Sequence, residues 1–284
     1  MKTLIINADD FGLLNCVNDG IADAYNNGIL TSATLMINMS GAQDAINTAK
    51  KHGIPCGIHL NLNAGKPLAA TNAANPETGE FYRDVYKLIA EIKKGFISIK
   101  DVEKELYAQL SALSDSGLKI THIDSHKHSH QYLPIFKTVE NLAEKFNIKK
   151  IRMSADLNFM QDIEKNADFY SADFSYQSYI QHHLKTGTYK SEWFDDFNLF
   201  SGFFYAGKMN LDNFKKILYA MRNCEKPLEL MFHPAYNRAE LQGSSSLTHH
   251  RETELKTLVS PEAIEIIKKN NIKLIDFSST PKQI

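Results

Sequence analysis

Short runs of β-branched and aliphatic residues alternate with longer amphipathic stretches along the whole chain, and this alternation restricts the fold more than any other feature. The runs at Thr3–Ala8, Ala33–Asn38, Gly57–Asn61, Ile120–Asp124, Ile151–Met153, Leu228–Phe232 and Lys273–Phe277 read as strands. Between them, Val17–Asn27, Ala42–His52, Val102–Leu113, Ile135–Phe146, Leu211–Asn223 and Pro261–Asn270 read as helices, the last with Ser260 as its cap and Pro261 in the first turn. Strands separated by crossover helices imply a mostly parallel sheet, so the class is α/β. About seven such units in 284 residues fit one closed or nearly closed (β/α) barrel, a single domain over 1–284. Three segments interrupt the rhythm. Thr71–Gly79 and Gln242–His250 read as surface loops, and the aromatic, weakly periodic stretch from Ala155 to Phe204 is expected as an insertion or side lobe.

Charge narrows the partners. With 32 basic against 33 acidic residues the net charge is -1, which offers no general attraction to nucleic acid or an anionic membrane. Cys16, Cys56 and Cys224 are odd in number and form no CxxC pair, so neither a disulfide framework nor a thiolate zinc site is indicated, and a cytoplasmic location is expected. The opening run is too short for a signal peptide or membrane span. No glycine-rich phosphate loop and no GxSxG elbow is present.

The polar exceptions carry the chemistry. Asp9 and Asp10, His59, Asp124 and His126, and His233 each fall at the C-terminal end of an expected strand, the face where barrels of this kind gather catalytic groups. Asp9 and Asp10 leave the first strand together, so one could bind a cation while the other faces a water. A tight turn capping the next helix accounts for the pair equally well in isolation. Strand alternation puts His59 and Asn61 on one face of Gly57–Leu62, although a lone strand histidine is more often a hydrogen-bonded core residue.

Four of the eleven histidines lie in the nine residues from His122 to His130. At most one or two of them should bind metal, and Asp124 could orient a ligand ring from behind. His233 emerges from an apolar strand that Pro234 terminates. His128 and Arg152 join Asn61 and Asp124 as candidates for substrate contact or ligand support, whereas His52, His182, His183, His249 and His250 read as structural or solvated.

The motifs Leu4-Ile5-Ile6-Asn7-Ala8-Asp9-Asp10-Phe11-Gly12, Gly57-Ile58-His59-Leu60-Asn61-Leu62, Thr121-His122-Ile123-Asp124-Ser125-His126 and His233-Pro234 resemble, in order, those of the YdjC-like carbohydrate deacetylases. The resemblance implies a TIM-barrel-like fold related to other polysaccharide deacetylases, possessing an incomplete or distorted barrel. It implies hydrolysis of the N-acetyl group of amino sugars or chitooligosaccharides, one divalent metal usually assigned as magnesium, and a homodimer. Matched residue by residue, Asp10, His59 and His126 correspond to metal ligands, Asp9 to the catalytic base and His233 to the acid. Lys127 stands where the family often has histidine, and Ala235 where it often has glycine.

Two imidazoles and one carboxylate suit zinc, manganese or iron better than magnesium on softness grounds. Two other classes fit the same residues: another metal-dependent barrel enzyme, such as a sugar isomerase or phosphoesterase, and a non-catalytic carbohydrate- or metal-binding protein. A phosphoesterase calls for extra cations at the mouth, where Arg152 is the one obvious candidate, and a mere binding protein has no use for Asp9 beside the ligands.

Overall fold

The computed structural model describes residues 2–156, 171–189, 199–222 and 225–284. Strand β1 (Thr3–Phe11) is buried at every position after Thr3, as its near-continuous apolar run requires of a strand covered on both faces. It is followed by α1 (Asn15–Asn27), β2 (Ser32–Leu35), α2 (Ala42–His52), β3 (Cys56–Leu60), α3 (Val85–Lys93), α4 (Ile99–Asp115), β4 (Ile120–Ser125) and α5 (Leu133–Lys145). Then come α6 (Ser171–Lys185), β5 (Leu199–Ser201), α7 (Leu211–Met221), β6 (Leu228–Phe232), α8 (His249–Leu258), α9 (Pro261–Lys269) and β7 (Lys273–Leu274). The strands run parallel in the order β4-β3-β2-β1-β6-β5, with β7 on β1. Among the described residues β4 and β5 end the order of named strands, with single parallel bridges Ile123↔Ile151 and Asp156↔Phe200 beside them, so the parallel α/β sheet is the incomplete form of the expected (β/α) barrel. No described helix is long and apolar enough to cross a membrane.

The chain forms two units. One comprises Met1–Ala8, Asp19–Ser32 and Arg152–Ile284. In it β1 pairs with β6 from Leu4↔Leu228 to Ala8↔Phe232, and with β7 at Leu4↔Leu274. Lys282 donates to the Tyr25 carbonyl in the last turn of α1 and to those of Gly28 and Leu30 beyond it, and burial pushes its ammonium down to about 8. The turn after β6 rests on α1: a Cβ built on Gly20 would lie 2.7 Å from the Cα of Ala235.

The other unit comprises Asp9–Asn18 and Ala33–Ile151. Here Met36 N–H donates to Phe11 at 2.7 Å, β2 pairs with β3 at Leu35↔Ile58, and β3 pairs with β4 at His59↔Asp124. Helix ends follow local chemistry. Gly53 closes α2 with φ 67° and donates to the Ala49 carbonyl, Ser98 caps α4 through Asp101 N–H, and in the first unit Ser260 caps α9 through Ala263 N–H.

Several expectations are revised. Ala33–Asn38 stops being a strand at Leu35, because Asn38 turns to donate to the carbonyls of Ala64 and Lys66. Ile151–Met153 supplies one parallel bridge, Ile123↔Ile151, and the last strand is two residues long. The stretch 155–204 holds α6 and β5, while 157–170 and 190–198 lie outside the described residues, as does Cys224. α3 was not expected; Asp84 caps it by accepting from Tyr86 N–H, and Val85 and Leu88 are buried. The expected Gln242–His250 loop ends early because α8 begins at His249.

Alanine is a better helix former than glycine by about 1 kcal/mol, yet Gly20→Ala should destabilise the protein by about 1–3 kcal/mol because the added methyl meets backbone. Urea denaturation checks this: the midpoint should fall, and a rise would show that the turn can move away.

Candidate metal centre

Five polar residues at strand ends of the second unit converge: Asp9, Asp10, His59, Asp124 and His126. Their burial is the first sign of purpose. Asp9, Asp10, His59 and Asp124 are each at most 2% exposed, where charge is costly unless it is paired or bound to a cation.

Asp124 fixes the His59 ring. His59 Nδ1 lies 2.7 Å from Asp124 Oδ1, and since a carboxylate only accepts, the nitrogen carries the proton. Thr34 Oγ1 donates to the other oxygen of Asp124 at 2.9 Å and lies 3.2 Å from His59 Nδ1. This leaves Nε2 turned toward Asp10, 3.3 Å from Oδ1. His126 Nδ1 lies 2.9 Å from the same Asp10 oxygen, and its ring meets that of His59 edge-on at 5.8 Å between centroids.

Successive side chains of a regular strand point to opposite faces, so two adjacent aspartates ought to diverge. Asp10 breaks the alternation with φ 66°, a left-handed conformation that Asp tolerates better than most residues. Asp9 thereby groups with His59 and Asp124, and Asp10 with His59 and His126, each group having its ligand atoms within 4.8 Å of one another. Asn18 holds this turn: its Oδ1 accepts from Gly12 N–H at 2.8 Å, and its Nδ2 donates to Gly41 O and Asp44 Oδ2.

Two other histidines of the cluster, His122 and His130, lie against neighbouring strand residues. His122 fills the space over Gly57, where a Cβ would come within 2.5 Å of its ring. His130 Nδ1 pairs with Ser125 Oγ at 2.6 Å. His128 is buried, with φ 54° like Lys127 before it. The Lys127 ammonium donates to the Arg83 carbonyl. Asn61 is also buried: it donates to Asn38 Oδ1 and Ala64 O and accepts from the N–H groups of Asn63 and Ala64, so its amide holds the loop after β3.

The donor set passes a test for a cation. Metal–ligand distances of ~2.0–2.2 Å put neighbouring ligand atoms roughly 3 Å apart, and the Asp10 contacts to the two imidazoles, 3.3 and 2.9 Å, have that spacing. Nε2 of His59, with its proton already on the Nδ1 side, and a carboxylate oxygen face each other, which calls for a positive charge between them. Without metal, a proton fills that role. Burial pulls the His59 imidazole down, but the Asp124 charge, hydrogen bonds to Asp10 and Asp124 and the Asp9 charge outweigh it and push the ring up to about 10. His126 shifts the other way, because burial there outweighs the pull of Asp10.

His233 and Arg152 belong to the other unit. The Arg152 guanidinium pairs with the buried Glu229 carboxylate through Nε and Nη2, both at 2.6 Å, and this ion pair occupies the cation that a phosphate-binding reading would need. His233 follows β6, and its backbone N–H donates to Glu254 of α8. Sequence reasoning missed Thr34, Asn18 and Glu254. Thr34 has a readable signal, a hydroxyl inside an expected buried strand, while the other two acquire their roles only through folding.

A family model described as YdjC-like protein matches residues 3–269. A carbohydrate deacetylase of Brevibacillus brevis is 33% identical over 277 residues, covering 97% of this chain and 98% of that protein. Another from Geobacillus stearothermophilus is 33% identical over 276 residues, covering 96% of each, and one from Vibrio cholerae serotype O1 is 28% identical over 279 residues, covering 97% of this chain and 95% of its own. The crystal structure of a candidate cellobiose-phosphate cleavage protein from Enterococcus faecalis V583 aligns with a TM-score of 0.76 at 24% identity, covering 98% of both chains, a likeness of fold.

Protons and a cation compete for His59 Nε2, so metal affinity should rise with pH, by up to about tenfold per unit below the raised His59 value. Calorimetric titration with Mn2+ or Zn2+ between pH 6 and 8, in buffers of different ionisation enthalpy, should report roughly one proton released per ion bound. PH-independent affinity with no proton release would contradict this arrangement.

Proposed function

Because this chain belongs to the YdjC-like family, we propose that it hydrolyses the N-acetyl group of acetylated amino sugars or chitooligosaccharides, yielding acetate and a free amine. It is a hydrolase of amide C–N bonds, a carbohydrate deacetylase. The observation that carries the reading is the grouping of Asp10, His59 and His126 around one position, with a spare carboxylate, Asp9, beside it.

Asp10, His59 and His126 would hold one divalent cation, and the donor chemistry favours zinc, manganese or iron, with magnesium supported by family resemblance. When bound, the cation polarises the acetamide carbonyl and lowers the pKa of water at the site. The chain's own residues do the rest. Asp124 keeps His59 in the tautomer whose Nε2 lone pair faces the ligand position, with Thr34 holding Asp124 in turn. Asp9 is the base: it takes a proton from the water whose oxygen bonds to the acetyl carbon. As the C–N bond breaks, its electron pair leaves with nitrogen, and His233 supplies the proton that makes the departing group an amine.

Asp9→Asn keeps the shape and removes the base. Acetate release from N-acetylglucosamine oligosaccharides should fall about 10²- to 10⁴-fold, while bound metal, measured by elemental analysis, stays near the wild-type level. Unchanged turnover would remove Asp9 from the mechanism, and loss of metal together with activity would assign Asp9 to the ligand set instead.

A further inference from the structure

Helix α8 carries two buried charges, Arg251 at 2% exposure and Glu254 at 0%, on one face. Arg251 donates through Nε to Ser245 Oγ and the Leu247 carbonyl, so it holds the loop that precedes the helix. Glu254 faces the turn after β6. Its Oε1 accepts from Gly207 N–H at 2.6 Å, and its Oε2 accepts from the backbone N–H of His233. The turn is pinned a second time where Ala235 N–H donates to the Arg251 carbonyl. These contacts settle where the backbone of His233 lies.

The His233 side chain is less settled. Its Nδ1 is buried with no hydrogen-bond partner among the described residues, and Glu254 Oε2 stands 3.8 Å from it. A buried ring nitrogen without a partner is a cost that native proteins rarely leave unexplained. A carboxylate poised just beyond hydrogen-bond range meets that cost once the imidazole becomes cationic and closes the gap.

We infer that Glu254 is the positioning residue of His233, holding a proton on Nδ1 so that Nε2 delivers the one the leaving amine needs. This rests on the reading of His233 as proton donor. In the imidazolium both nitrogens carry hydrogen, with Nδ1–H directed at Glu254. When Nε2–H passes its proton to the departing nitrogen, the ring becomes neutral and keeps Nδ1–H on the Glu254 carboxylate. Glu254 only accepts the Nδ1–H bond and touches no reacting atom.

The test compares two acetyl donors on metal-loaded protein: an N-acetylglucosamine oligosaccharide, whose amine must be protonated to leave, and 4-nitrophenyl acetate, whose phenolate leaves without a proton. His233→Ala should lose amide hydrolysis and keep ester hydrolysis. Glu254→Gln should follow it in direction, with amide kcat down roughly 10- to 100-fold, the usual cost of removing the outer partner of a working histidine. KM and ester turnover should stay within about twofold, since the acyl step is untouched. Equal losses on both substrates in Glu254→Gln would make Glu254 a structural anchor and overturn the inference while leaving His233 as donor. Full amide activity in His233→Ala would overturn the donor reading itself, and the inference with it. Should Glu254→Gln fail to fold, the wild-type holoenzyme decides: long-range 1H–15N spectra, with His233 assigned through His233→Gln, should give the neutral tautomer protonated at Nδ1. Protonation at Nε2 would overturn the role.

Discussion

The hydrogen bond from His59 Nδ1 to Asp124 is the contact on which the centre depends. Both groups are almost fully removed from water, and an isolated buried carboxylate is expensive enough that it must be paired or neutralised. Register makes the pairing automatic, because β3 and β4 run parallel with His59 directly opposite Asp124. With Nδ1–H donated to Asp124, the far side of the ring offers a lone pair to Asp10, and two electron-rich atoms face one another across 3.3 Å. The need for a positive charge there follows from strand pairing.

Backbone conformation supplies the other half. An undistorted β1 would send Asp9 and Asp10 to opposite faces, and only one could have joined His59. The left-handed turn at Asp10, braced by Asn18 across Gly12 and Gly41, brings both carboxylates to the same place with different neighbours. Different neighbours permit different roles, a ligand and a base, from one residue type.

What could be read in advance depended on whether burial or tertiary fit decided the outcome. β6 and α2 lie within the bounds their periodicity implies, and Ser260 caps α9 as its sequence suggests, because these features are local. Asp10, His59 and His126 were legible as polar interruptions at strand ends, and the structure groups their ligand atoms. Residue chemistry alone narrows the His-rich run to one or two ligands and the family resemblance picks out His126; in the structure His122 lies against Gly57 and His130 against Ser125. α8 is absent from the expected helices because its buried side mixes Arg251, Glu254 and Thr257 with Leu255 and Leu258, so no continuous apolar stripe marks it. Glu254 shows its purpose only beside His233.

The most direct test of the account is an anomalous difference map from crystals of the protein loaded with Mn2+ or Zn2+. A single peak bonded to Asp10, His59 Nε2 and His126, with Asp124 still hydrogen-bonded behind His59 and Asp9 outside the coordination shell, is the predicted result. A peak elsewhere, or one bonded to Asp124 in place of Asp10, would contradict it.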